Sequence, residues 1–451
     1  MAQDPATPGR GDPRRILSLT LPALGALVAE PLFLLADSAI VGRLGTPELA
    51  ALGVAGALLN SAVSVFVFLA YGTTGTAARL VGAGDEVGAL AAGRDAAWLA
   101  AAIGTAAALV VLPTAPLLVA PFDVSDPVAH EAVVYLRASL PGLPAMLVLL
   151  ALVGVLRGLE RTRATLWIAG LGAVANAALN VVLVHGVGTW AGLGIAGSAI
   201  GTAATQLGMA TAGVLILRRT ARGRIALAPH AAGIRMAGRD GVPLLVRTVA
   251  LRAVLLATTA TAASLGATAL AAHQVAANLW TLLALTLDAL AIAAQALVGN
   301  RLGAGDVAGV HAMVRTMVRW GVGTGVVLGL LMLAAGGGLG PLFTPDEAVQ
   351  HDLRAALLVA ALAQPLAGYV FVLDGVLIGA GDGRYLARAS AVQAALFLPA
   401  AALLATYGPS GTAGLVSLWV LFAGGWMVLR AVQLGRRARG DAWTVTGARR
   451  T

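Results

Sequence analysis

Of the 451 residues, 59% are apolar and only 11% charged, so most of the chain belongs in lipid rather than around a water-soluble core. There is no cysteine, which excludes disulfides, thiolate nucleophiles and cysteine metal sites. The formal net charge of +9 is carried by arginines scattered over many short loops, so it reads as a set of topology signals and argues against a nucleic-acid partner.

The first 13 residues are polar and rich in Pro and Gly. No small-residue cleavage site follows the apolar run that begins at Ile16, so that run is expected to stay as a first membrane helix. Apolar runs of about 20 residues or more, the length needed to cross a bilayer, then recur between short polar breaks. They predict twelve transmembrane helices, near residues 16–41, 51–77, 90–119, 132–156, 165–185, 192–217, 242–264, 270–298, 313–339, 353–377, 386–406 and 411–434. Alternate loops sort by charge. Arg10, Arg14, Arg15, Arg157, Arg161, Arg163 and the cluster from Arg218 to Arg239 fall on one side, whereas Asp123, Asp126, Glu131, Asp346 and Glu347 fall on the other. The positive-inside rule then puts both termini in the cytoplasm.

The chain also repeats itself at an offset of 221 residues: Gly82-Ala-Gly-Asp85 returns as Gly303-Ala-Gly-Asp306, and Pro22, Phe122 and Pro144 return as Pro243, Phe343 and Pro365. The expected architecture is an all-α polytopic membrane protein with two pseudo-symmetric six-helix bundles. Six is even, so the halves form a parallel repeat, with a substrate cavity expected between them. The expected segments are a cytoplasmic tail over 1–15, an N-terminal bundle over 16–217, a cytoplasmic linker over 218–239, a C-terminal bundle over 240–434 and a cytoplasmic tail over 435–451.

Polar groups inside these spans are the candidate functional residues, because a charged side chain near mid-membrane costs roughly 3 kcal/mol on insertion scales. Asp37 lies about 7 to 8 Å below the outer end of the first span at 1.5 Å per residue. Asn180, with Asn176 one turn away, reaches a similar depth in the fifth span, and Ser198 and Thr202 reach it in the sixth. These five residues can form one proton- or ion-coupling cluster, and its hard oxygens suit a proton or a dehydrated sodium ion. The alternative is that the amides and hydroxyls merely hold helices together. Glu30, two turns from Asp37 on the same helix face, is either a second functional acid or a protonated structural one. In the second half, Arg252 with Asp288 and Arg247 with Asp374 lie at comparable depths and read as salt-bridged pairs. Thr258 stands at the repeat position of Asp37, so the coupling site belongs to the first half.

At these residues a resemblance emerges. Ala36-Asp-Ser-Ala-Ile-Val-Gly-Arg-Leu-Gly45, Ala271-Ala-His-Gln274, Leu287-Asp-Ala-Leu-Ala-Ile-Ala-Ala-Gln-Ala-Leu-Val-Gly299 and Leu373-Asp-Gly-Val-Leu-Ile-Gly-Ala-Gly-Asp382 resemble the multidrug and toxic compound extrusion (MATE) family, on its bacterial branch similar to DNA-damage-inducible protein F (DinF-like). The resemblance implies an antiporter of the bacterial inner membrane that exports cationic or amphipathic small molecules by alternating access, driven by protons or sodium. It also implies that Asp37, Asn176, Asn180 and Ser198 or Thr202 couple the ion. Many such relatives carry an acid where this chain has Asn180, and the missing charge favours protons over sodium. Gln295 stands where relatives often have Glu.

No catalytic constellation or cofactor site is apparent, and the six His residues are scattered, so an enzyme is not expected. The alternatives are a sodium-coupled exporter of the same fold and a flippase for a lipid-linked precursor. Arg247 and Arg252 are the flippase's only candidate phosphate ligands, and both have acid partners in reach. A passive channel or scaffold has no use for an intramembrane acid. A monomer is favoured.

Overall fold

A computed structural model describes residues 13–448. Residues 1–12, with Arg10 of the expected tail, and residues 449–451 lie outside the described residues. Among the described residues eleven helical stretches are long and apolar enough to cross a membrane, and one bent helix pair, counted as one span, makes a twelfth. The first six are α1 (Pro13–Val41), α2 (Thr46–Phe66) running past Val67 into α3 (Phe68–Gly82), α4 (Glu86–Val119), the pair α5 (Asp126–Ser139) and α6 (Gly142–Gly158), α7 (Thr162–His185) and α8 (Ile195–Ala221). The second six are α9 (Ala231–Ser264), α10 (Ala267–Gly303), α11 (Val307–Phe343), α12 (Glu347–Gly379), α13 (Gly383–Tyr407) and a last span. That span is built from α14 (Gly411–Trp419), a π-helical segment (Val420–Trp426) and α15 (Met427–Arg439).

The chain forms two compact units, residues 21–241 and residues 242–448 with the start of α1. The connection expected to be a 22-residue linker over 218–239 is irregular only over residues 222–230, because α8 and α9 both extend into it. The 54° bend between α5 and α6 falls at Pro141 and Pro144. Each lacks the amide hydrogen that would bond one turn back, so the helix cannot run straight through.

Small residues are frequent in the interior, and many large apolar ones face out. Alanine dominates the buried positions, whereas Leu117, Leu256 and Leu362 are exposed. This is the pattern expected where lipid, not water, surrounds the bundle: an exposed leucine costs little there, and small residues let backbones approach.

The 221-residue repeat is a repeat of helix crossings. A Cβ on Gly158 of α6 would stand 2.7 Å from Ala77 and 2.8 Å from the Thr74 carbonyl of α3. One on Gly379 of α12, at the repeat position, would stand 2.8 Å from Gln295 of α10. Likewise Gly104 of α4 abuts the Pro144 Cα, and Gly325 of α11 abuts the Pro365 Cα. Gly154 and Gly375 complete a small-xxx-small stripe on α6 and α12. The turns repeat too. The carboxylates of Asp85 and Asp306 accept from the amides of Gly88 (2.7 Å) and Gly309 (2.8 Å) and so cap α4 and α11. At the next shared turn the second half places Gly381 at φ 70°, and the first half forces Glu160 to φ 57°.

Two outcomes follow for melting of the purified protein in detergent. Gly375→Val should cost about 1–3 kcal/mol by overpacking the α10–α12 crossing, whereas Gly170→Ala, at a glycine with open space, should change little. Glu160→Gly should raise stability by up to about 1 kcal/mol by relieving the left-handed backbone.

Candidate functional site

In the unit of residues 21–241, four helices deliver polar side chains to one buried point. Asp37, four residues from the end of α1, is 2% exposed. Its Oδ1 accepts from the Ser198 hydroxyl at 2.5 Å and from the Asn180 amide at 2.8 Å. Its Oδ2 accepts from the Tyr135 hydroxyl at 3.3 Å. The second Asn180 hydrogen goes to Asn176 Oδ1 at 3.2 Å, and Asn176 donates to Thr202 at 3.1 Å. The structure thus brings Asp37, Asn176, Asn180, Ser198 and Thr202 together. The i, i+4 spacing of Asn176/Asn180 on α7 and of Ser198/Thr202 on α8 stacks each pair on one helix face. Gly201 makes room for the Asn180 Oδ1 where any side chain would collide, and that buried oxygen has no donor among the described residues.

Tyr135 was not among the residues expected from sequence. A phenol in an apolar span needs a hydroxyl partner, which is the one signal that pointed to it. Tyr135 also belongs to an apolar cluster with Val41, Leu52, Val119, Leu136 and Ile195, at the end of the unit nearest Asp37. Tyr135 thus joins this apolar cluster to the polar one.

The electrostatics are unusual. Among the described residues no arginine or histidine reaches Asp37, so its charge is met by three neutral donors alone. A carboxylate has about four lone-pair sites, and one stays open on Oδ2. An unbalanced buried charge is costly, and a proton or small cation is the natural way to balance it. Glu30 is exposed, whereas Asp37 is buried, so the two acids sit in different surroundings.

The second unit solves the same problem with cations. Arg247 of α9 donates to both oxygens of Asp374 on α12, through Nε at 3.2 Å and through a second, shorter contact. Arg430 of α15 joins Asp374 at 3.3 Å and stacks 4.9 Å above Trp426. All three charged groups are buried, and Arg430 was not among the candidate residues expected from sequence. Arg252 is exposed and Asp288 half-buried, so neither lies as deep in the interior as Arg247 and Asp374 do. Thr258, opposite Asp37 in the repeat, bonds its own helix at the Val254 carbonyl, and Gln295 is buried with its Oε1 lacking a donor among the described residues. No cluster of three or more His, Asp or Glu suited to a metal ion occurs among the described residues.

Twelve spans in two parallel repeats, with a polar cluster buried in one bundle, define a multi-pass membrane transporter. The chain belongs to the MatE family, whose model matches residues 22–182 and 243–403, two segments offset by the same 221 residues. Members of this family are transporters, not enzymes. Protein DETOXIFICATION 44, chloroplastic, of Arabidopsis thaliana is 30% identical over 438 residues, covering 94% of this chain and 82% of its own. DNA damage-inducible protein F of Escherichia coli is 26% identical over 389 residues, covering 84% of this chain and 83% of its own. A solved multidrug resistance MATE family transporter of the MOP superfamily, in an outward-facing conformation, superposes with TM-score 0.81 at 20% identity, over 97% of this chain and 99% of its own.

A double-mutant cycle tests the cluster. Ser198→Ala should cost about 1.5–3 kcal/mol, the worth of a hydrogen bond to a charged group. In an Asp37→Ala background the same change should cost under about 1 kcal/mol, because the carboxylate it served is gone. Equal costs in both backgrounds would mean that Ser198 serves packing alone.

Proposed function

We propose that the protein is a proton-coupled antiporter that exports cationic or amphipathic small molecules by alternating access. The reading rests on one observation: Asp37 is buried against three neutral donors with a lone pair still open. A proton needs only that lone pair. A sodium ion needs several oxygens facing inward, yet Asn180 presents its NH2 group to Asp37 and turns its oxygen toward Gly201. Sodium would have to turn that amide and the donor hydroxyls away.

A proton arriving at Oδ2 removes the charge that Ser198, Asn180 and Tyr135 stabilise. That weakens the tie of α1 to α5, α7 and α8. Helix α1 already lacks one backbone hydrogen bond at Pro31, six residues before Asp37, so it can bend there as the cluster loosens. The differential stability of the charged and neutral cluster then biases the access states. We also infer that both termini face the cytoplasm and that the membrane is a bacterial inner membrane; the arginine asymmetry of the loops supports this orientation. Small-molecule export is supported by the family and by the multidrug resistance named for the solved relative. For a lipid-linked precursor flippase, the candidate Arg247 is committed to Asp374.

Asp37→Asn keeps the shape of the side chain and removes its titration. It should fold and insert, and in proteoliposomes its efflux of a fluorescent lipophilic cation under an imposed pH gradient should fall to the level of empty vesicles. Undiminished pH-driven efflux by that variant would remove Asp37 from the coupling step.

A further inference from the structure

The apolar groove between α7 and α8 and the basic pocket at its end form one amphipathic site, and we propose that it holds an anionic glycerophospholipid. The pocket, of about 740 Å3, lies where α7 begins, α8 ends and α4 begins. Four arginines line it (Arg161, Arg219, Arg222 and Arg224) against a single acid, Glu86. Arg224 is bound to Glu86 at 3.1 Å, and Arg161 donates to Thr220 at 2.6 Å. The guanidinium groups of Arg219 and Arg222 meet no acceptor among the described residues, which leaves the donors a phosphate would take.

A second observation points to a ligand with a tail. A groove of about 630 Å3, lined almost entirely by apolar side chains, runs along α7 and α8, and Ile216 lines both it and the basic pocket. It is walled by Trp167 and Leu171 on α7 and Met209 on α8. Along α8 it extends from Ile216 to Ala204, about 18 Å at 1.5 Å per residue. That is close to the roughly 15 Å depth of one hydrocarbon leaflet. An excess of positive charge at the membrane boundary, continuous with an apolar trough one leaflet deep, matches a phosphodiester headgroup with an acyl chain beneath it. Basic pockets between membrane helices take anionic headgroups on these grounds.

A third feature is the backbone of Arg222. It ends α8 at φ 47°, in the left-handed region, with Gly223 beside it. Glycine is the inexpensive residue at such a helix end. The chain instead keeps a guanidinium there, aimed at the pocket it lines.

The test uses the full chain, purified in delipidated detergent micelles, with melting followed as phosphatidylglycerol, phosphatidylcholine or soluble glycerol 3-phosphate is titrated in. Phosphatidylglycerol should raise the melting temperature saturably, and the other two should not. Arg219→Gln with Arg222→Gln should weaken the phosphatidylglycerol response about 30-fold. Gly208 has open space where its Cβ would be, so Gly208→Leu fills the groove without a clash and should weaken the response about tenfold or more. Arg222→Gly separates binding from folding: its melting temperature without lipid should stay level or rise, while the lipid response falls. An equal response to phosphatidylcholine would overturn the proposal. So would a full response to glycerol 3-phosphate, which would assign the pocket to a free phosphate compound. An unchanged phosphatidylglycerol affinity in both the Arg222→Gly and Gly208→Leu proteins would place the lipid elsewhere.

Discussion

A carboxylate withdrawn from water and left without a cation is the constraint on which this molecule depends. Asp37 receives hydrogen bonds from Ser198, Asn180 and Tyr135, and none of these carries charge. Neutral donors spread a negative charge without cancelling it, so the cluster stays responsive to a proton in a way that a salt bridge would not. Asp374 in the other half shows the contrast. Two arginines hold it, so that site carries a surplus of positive charge where the Asp37 cluster carries a surplus of negative charge. One fold repeated twice has settled the problem of a buried acid in two opposite ways.

The scaffold that allows this is itself economical. Each half carries the same glycine stripe on its fourth span, in α6 or α12, and the same aspartate-capped turn before α4 or α11. Shared crossings keep the two bundles alike in backbone, while side chains at matching positions diverge. Asp37 against Thr258 is the sharpest case: the threonine closes its hydroxyl onto its own helix, and the position loses its reach across the bundle.

Much of this was legible from residues alone, and the limits have physical causes. Hydrophobic run length located the spans, because a bilayer sets a minimum length that few other environments impose. Counting depth along each helix aligned Asp37 with Asn180 and Ser198, because rise per residue is nearly constant. Depth alone carries no information on which way a helix is rotated toward its neighbours. Glu30 shares a face with Asp37 by periodicity yet ends exposed, since two turns along the same helix can pass from a buried contact to an open surface. Tyr135 was hidden by the bend at Pro141, and Arg430 by a π-helical segment that shifts the register of the last span. The linker extended less than its charge suggested, because arginine is a good helix former and α8 and α9 grow into it.

The most direct test of the central claim is to count protons released when a lipophilic cation such as tetraphenylphosphonium is added to the purified protein in weakly buffered solution. The account predicts release of about one proton per bound cation. That release should be insensitive to replacing sodium with choline and absent in the Asp37→Asn protein. Cation binding with no proton released, or full release from the variant, would contradict it.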